Sequence, residues 1–154
     1  MSRRLSVASL AVLLVLVLAA PAMARPASSA AHAAKRGITI TTRKIENYGT
    51  VLVDGRGLPL YVFTADRGRS SRCYGACAKA WPVTYAGGTP RAAGGARQGL
   101  LGTTRRKDGR RQVTYRGRPL YYYVSDRPGV ALCHDVREFG GLWLLIRASG
   151  RRVT

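Results

Sequence analysis

Four residues of this chain are suited to thiol or metal chemistry: Cys73, Cys77, Cys133 and His134. Brought together they would supply the donors of a Cys₃His zinc centre, and thiolates with one imidazole also suit copper. That set defines one functional expectation, a redox or metal-handling protein. Its spacing is not one of the usual C-x₂₋₄-C…H-x₃₋₅-H zinc patterns. A c-type haem is excluded, because C-x-x-C-H is missing and both methionines, Met1 and Met23, fall in the leader. His134 and Asp135 with Ser71 or Ser125 have the residue types of a hydrolytic triad. Neighbours on an extended segment point to opposite sides, however, and no G-x-S-x-G elbow is present. The chain is therefore read as non-enzymatic, with no catalytic residue and no cofactor assigned.

Two further sets are candidates for binding. Asp66 and Asp126 each follow a run of aromatics. They either face each other as a cation or ligand site, or accept backbone N–H groups in their own turns as Asx turns do; their duplication favours the turn role. Arg105, Arg106, Lys107, Arg110, Arg111, Arg116 and Arg118 form a basic hairpin interleaved with Tyr115. Arginine beside exposed aromatics is a single-strand nucleic-acid signature. Here the tyrosines alternate as core residues do, so the hairpin reads as a contact for general polyanions and not for a specific nucleic acid.

The elements that must position these residues are repeated. Gly57-x-Pro59-Leu60-Tyr61-x-Phe63-x-x-Asp66 recurs as Gly117-x-Pro119-Leu120-Tyr121-x-Tyr123-x-x-Asp126, every position displaced by 60. Trp81 and Trp143 follow the two tyrosine motifs by 20 and 22 residues and read as matched core anchors. Ile38 to Thr42, Thr50 to Val53, Pro59 to Ala65, Leu100 to Thr104, Gln112 to Tyr115, Pro119 to Val124 and Leu142 to Ala148 read as strands. In the third of these, Tyr61 and Phe63 share one face while Leu60 and Val62 share the other. Tyr74 to Trp81 allows one or two helical turns, stopped by Pro82. Ala86 to Gly99, rich in Gly and Ala, reads as a mobile surface loop. The predicted fold is all-β: a small sandwich or open barrel of two repeated β-hairpin units, about residues 46–85 and 100–148, related by a pseudo-two-fold, with one short helical turn.

Residues 1–24 read as a secretory signal peptide. Arg3 and Arg4 precede the apolar run Leu5 to Ala20, and Ala22-Met23-Ala24 supplies a cleavage site. Residues 25–36 read as a disordered Ala/Ser/Pro spacer, and residues 37–154 as one secreted domain. Lys+Arg number 26 and Asp+Glu 7, and loss of Arg3 and Arg4 lowers the formal charge from +19 to +17. Such a field attracts polyanions, which outside the cell means anionic surface polymers or membrane headgroups.

The motifs Tyr61-x-Phe63-x-x-Asp66 and Tyr121-x-Tyr123-x-x-Asp126 resemble those of bacterial secreted repeat proteins described as predicted lipoproteins with a Y-x-[FWY]-x-x-D motif. Ser71-x-Cys73-x-Gly75-x-Cys77-Ala78-x-x-Trp81-Pro82, Gln112-x-Thr114-Tyr115-x-Gly117 and Gly140-Gly141-x-Trp143 extend the resemblance over about residues 46 to 148. It implies export, a repeat-built β domain and no assigned activity. It also implies a Cys73–Cys77 disulfide, against the competing bridge from Cys133 to either. The chain departs from the pattern in lacking a lipidated cysteine near the cleavage site and in carrying Cys133-His134. The expectation is a secreted or envelope-associated binding domain whose basic hairpin contacts anionic polymer or lipid.

Overall fold

The computed structural model describes residues 36–154. The signal segment and nearly all of the spacer lie outside the described residues. Strand β1 (Arg36–Ile45) runs antiparallel to β2 (Gly49–Asp54), in register from Ile40 opposite Asp54 to Ile45 opposite Gly49. Strand β3 (Tyr61–Phe63) and a short helix α1 (Ala76–Ala80) complete the first repeat. After β4 (Thr89–Ala92), the second repeat comprises β5 (Leu101–Arg105), β6 (Arg111–Tyr115), β7 (Arg118–Pro119), β8 (Val136–Glu138) and β9 (Gly141–Leu145). They form three small sheets, ordered β2-β1-β4, β3-β9-β8 and β5-β6-β7. No sheet among the described residues closes into a barrel.

The sheets are joined across the repeats. β3 of the first repeat pairs with β9 of the second, Tyr61 opposite Leu145 and Phe63 opposite Trp143. Tyr61 and Tyr121 exchange both backbone hydrogen bonds, at 2.9 and 3.0 Å, so the pseudo-two-fold passes between these two equivalent residues. The second motif is extended there but forms only this bridge instead of a full strand through Val124, because beyond Tyr121 its backbone bonds go to Pro82 and Ala80.

Strict alternation along the strands sorts side chains into two buried clusters. Val51, Val53, Tyr61, Phe63, Trp143 and Leu145 belong to one; Leu52, Leu60, Val62, Leu144 and Ile146 belong to the other. β2, β3 and β9 are thus buried on both faces, which is why their sequences are continuous apolar runs with no polar alternation.

The Ala86 to Gly99 segment is ordered structure and not the loop its composition implies. β4 runs parallel to β1, and a 3₁₀ turn follows at Gln98–Leu100. Two features supply the order that apolar anchors would otherwise give. A Cβ at Gly37 would lie 2.6 Å from the Thr89 backbone, so only glycine admits this close approach. The Gln98 side chain accepts from Ala92 N–H at 2.8 Å and donates to the Pro90 carbonyl at 3.3 Å. β8 is the other element the sequence did not announce; Glu138 faces Gly141 across its two-residue turn.

Candidate functional site

The duplicated motif builds the centre of the domain. The Tyr61 hydroxyl donates to Asp126 Oδ2 at 2.7 Å, and the Tyr121 hydroxyl donates to Asp66 Oδ2 at 2.8 Å. Each aspartate therefore serves the tyrosine of the other repeat. The second oxygen of each accepts a backbone N–H six residues on, from Arg72 to Asp66 at 2.7 Å and from Leu132 to Asp126 at 2.9 Å. Turn-holding is thus half of the role; the other half is a crossed pair of interrepeat bonds. Burial raises the carboxyl of Asp66 to about 6, against the opposing pull of the Arg72 N–H and the Tyr121 hydroxyl. Burial likewise raises Asp126. Burial first, and the facing carboxylate second, raise the Tyr61 and Tyr121 phenols above their ordinary range.

The aromatics repeat the same crossing. Trp81 and Trp143 stack with centroids 4.0 Å apart and planes 3° from parallel. Phe63 stacks on Trp143 at 4.1 Å, and Tyr123 tilts on Trp81 at 4.9 Å. The eight motif residues, Tyr61, Phe63, Asp66, Tyr121, Tyr123, Asp126, Trp81 and Trp143, are therefore the framework of the fold.

The thiols are separated. Cys73 and Cys77 form a disulfide and both are buried, while Cys133 is a free, half-buried thiol. Among the described residues no three His, Cys, Asp or Glu side chains are grouped to hold a metal, so the structure does not bring Cys73, Cys77, Cys133 and His134 together. His134 Nδ1 accepts the Leu145 N–H at 3.2 Å, which places its proton on Nε2, and burial lowers its basicity.

The basic hairpin divides. Arg106 is buried, and donates to Ser71 Oγ at 2.6 Å, Gln112 Oε1 at 2.8 Å and the Cys73 carbonyl at 2.7 Å. It ties the hairpin to the first repeat and is not a surface charge, which corrects its place in the polyanion set. Arg116 and Arg118 turn toward the carbonyls of Ser149 and Gly150. Arg105, Lys107, Arg110, Arg111 and Arg116 remain exposed. Arg110 lies 4.1 Å over the Tyr85 ring and pairs with Asp108 at 2.8 Å. Arg111 donates to Thr103 Oγ1 at 2.9 Å and stands directly opposite Arg105 in the β5–β6 ladder.

Beside them lies a groove of about 740 Å³, bounded by Tyr85 to Pro90, by Leu101 to Thr103, and by Arg110 and Arg111 at its rim. Sequence reading did not anticipate this groove, because one wall is the Gly-rich segment it assigned to a loop. It also overlooked that the displacement of 60 relating the tyrosines carries Cys73 to Cys133 and Gly75 to Asp135. Both Gly75 and Asp135 have positive φ, 55° and 59°. The residue displaced by 60 from Cys77 is Arg137, so the second repeat offers Cys133 no matching thiol.

A family model described as a secreted repeat of unknown function matches residues 42–84 and again 102–146. No curated protein matches the chain, and no solved structure does.

Proposed function

The chain belongs to the family of secreted repeats of unknown function, and on that premise we propose that its domain is a non-catalytic binding module for an anionic surface polymer. An extracytoplasmic location follows from the family's description. The polymer, carrying phosphate or carboxylate groups, runs along the groove between Tyr85–Pro90 and the β5–β6 hairpin.

One observation carries the reading. Arg105 and Arg111 are directly opposed cross-strand partners, and Arg111 lines the groove. Like charges directly opposite in a ladder are unfavourable, and an anion between two guanidiniums converts that repulsion into charge-assisted hydrogen bonds. Tyr85 supports the arrangement by holding Arg110 over its ring. The thiol-based alternative gains no comparable support, because the disulfide is buried and its two sulfurs are apart from any third ligand grouping among the described residues.

The test is salt-dependent retention on an immobilised polyanion. Replacing Arg105 and Arg111 by Gln is expected to lower the eluting salt more than replacing Arg151 and Arg152, which are exposed and remove the same charge. Equal elution of the two variants would overturn a groove-centred site and leave only general electrostatic attraction.

A further inference from the structure

One wall of the groove has its direction fixed by the backbone. The Ala86 N–H donates to the Arg111 carbonyl of β6 at 3.0 Å, and the Ala86 carbonyl accepts the Ile38 N–H of β1 at 3.1 Å. Ala86 is thus held between the two hairpins. No peptide bond among the described residues is cis, and in a trans peptide the carbonyl and the following N–H point opposite ways. With the Ala86 carbonyl turned to β1, the Gly87 N–H is turned to the β5–β6 side, into the groove that Gly87 lines. That N–H has no protein acceptor among the described residues.

Backbone conformation, and not packing, calls for glycine at this place. Gly87 has φ of 62°, in the left-handed region. A Cβ there would meet nothing within 4 Å. The facing wall supplies a second set of donors. Of the two arginines that line the groove, Arg110 is engaged by Asp108, through Nε at 3.0 Å and Nη2 at 2.8 Å. Arg111 directs only Nη1 at a protein acceptor, the Thr103 hydroxyl at 2.9 Å, and the rest of its fork is free. Two more guanidiniums stand close by: Arg105 opposite Arg111, and Arg69 on the Thr103 carbonyl at 3.0 Å. No Asp or Glu lines the groove.

We propose that the Gly87 N–H and the Arg111 guanidinium together seat one oxyanion group, and that the polymer bound in the groove is linked by phosphodiesters. This rests on the reading of the groove as a polyanion site. Its donors come from two walls, the Gly87 segment on one side and the hairpin on the other. A carboxylate holds its lone pairs in one plane, and a guanidinium fork that grips both oxygens meets it along one edge. A phosphodiester carries two charged oxygens on a tetrahedral phosphorus. One of them can meet the fork while the other accepts from the opposite wall. Backbone N–H groups turned outward by left-handed residues serve phosphate in the same way.

Backbone-amide NMR titration of the isotope-labelled mature protein tests this, at fixed ionic strength. The probes are poly(glycerol phosphate) and, at equal charge, polygalacturonate. The expected result is a saturable downfield shift of the Gly87 amide with the phosphodiester polymer, which binds about 10-fold or more tightly than the carboxylate polymer. Gly140, an exposed glycine of positive φ in the β8–β9 turn, should show no such shift. Arg111→Gln should abolish the shift at Gly87, and a shift that survives it overturns the shared seat. Polygalacturonate binding as tightly overturns the phosphodiester assignment. Oligothymidylate of equal charge separates the sources: weaker binding supports a surface polymer, and tighter binding assigns the groove to nucleic acid and overturns one. A Gly87 amide that does not move, while polyanion retention still falls on replacing Arg105 and Arg111, overturns the seat and leaves the groove reading standing. Retention indifferent to those two arginines is instead the failure of the groove reading itself.

Discussion

Tyr61 and Asp126 are joined by a 2.7 Å hydrogen bond that spans 65 residues of sequence and links the two repeats. Its mirror image joins Tyr121 to Asp66 at 2.8 Å. Tyr61→Phe leaves a partly buried carboxylate oxygen without this donor and is expected to destabilise the domain by about 1–3 kcal/mol. Urea unfolding of Tyr61→Phe, Asp126→Asn and the double variant measures the coupling. Strict additivity of the single effects would show that the bond contributes nothing.

The Asp66 carboxyl yields a pH dependence opposite to that of an ordinary paired aspartate. Burial raises it to about 6 in the folded protein, from 3.8. Between those values the folded state holds the proton that the unfolded chain has lost. Its contribution to stability is therefore full below about pH 4 and declines as pH rises through about 6. Asp126 acts in the same direction. The difference in melting temperature between wild type and Asp66→Asn should shrink, or change sign, over this interval. A difference that does not vary from pH 4 to 7 would contradict it.

Arg106 and Arg110 are four residues apart in a basic hairpin and are expected to behave oppositely. Arg106→Ala unpairs Gln112 Oε1 and the Cys73 carbonyl in the interior, at a cost of about 3 kcal/mol or more. Arg106→Lys should not restore the stability, since an ammonium cannot reproduce the fork that serves Ser71, Gln112 and Cys73 together. Arg110→Ala, at an exposed position, should leave stability nearly unchanged. Chemical denaturation of the three variants checks this, and similar midpoints for Arg106→Ala and Arg110→Ala would refute the division.

The motif tyrosines, the two tryptophans, the strand alternation and the helical turn after Tyr74 were all legible from residue type and spacing. The Cys73–Cys77 bridge followed from the family resemblance. What was hidden depends on which copy a residue serves. The sequence shows that Tyr61 and Asp66 recur, but not that each hydroxyl crosses to the other repeat. Arg106 looked like its neighbours because charge alone does not reveal that Ser71, Gln112 and the Cys73 carbonyl converge on it. β4 was hidden for a different reason: its order comes from the absence of a side chain at Gly37 and from one glutamine, Gln98, and neither adds an apolar signal.

The pairing of β3 with β9 governs the sequence of events in folding. Tyr61 meets Trp81 within its own repeat, but Trp143, the ring stacked on Phe63, is synthesised well after the strand it must cover. The first repeat has no finished interior of its own and waits, uncovered, for the second. Contacts of this separation make for slow closure. Until Trp143 arrives, the amino-terminal half is a chain in search of its complement.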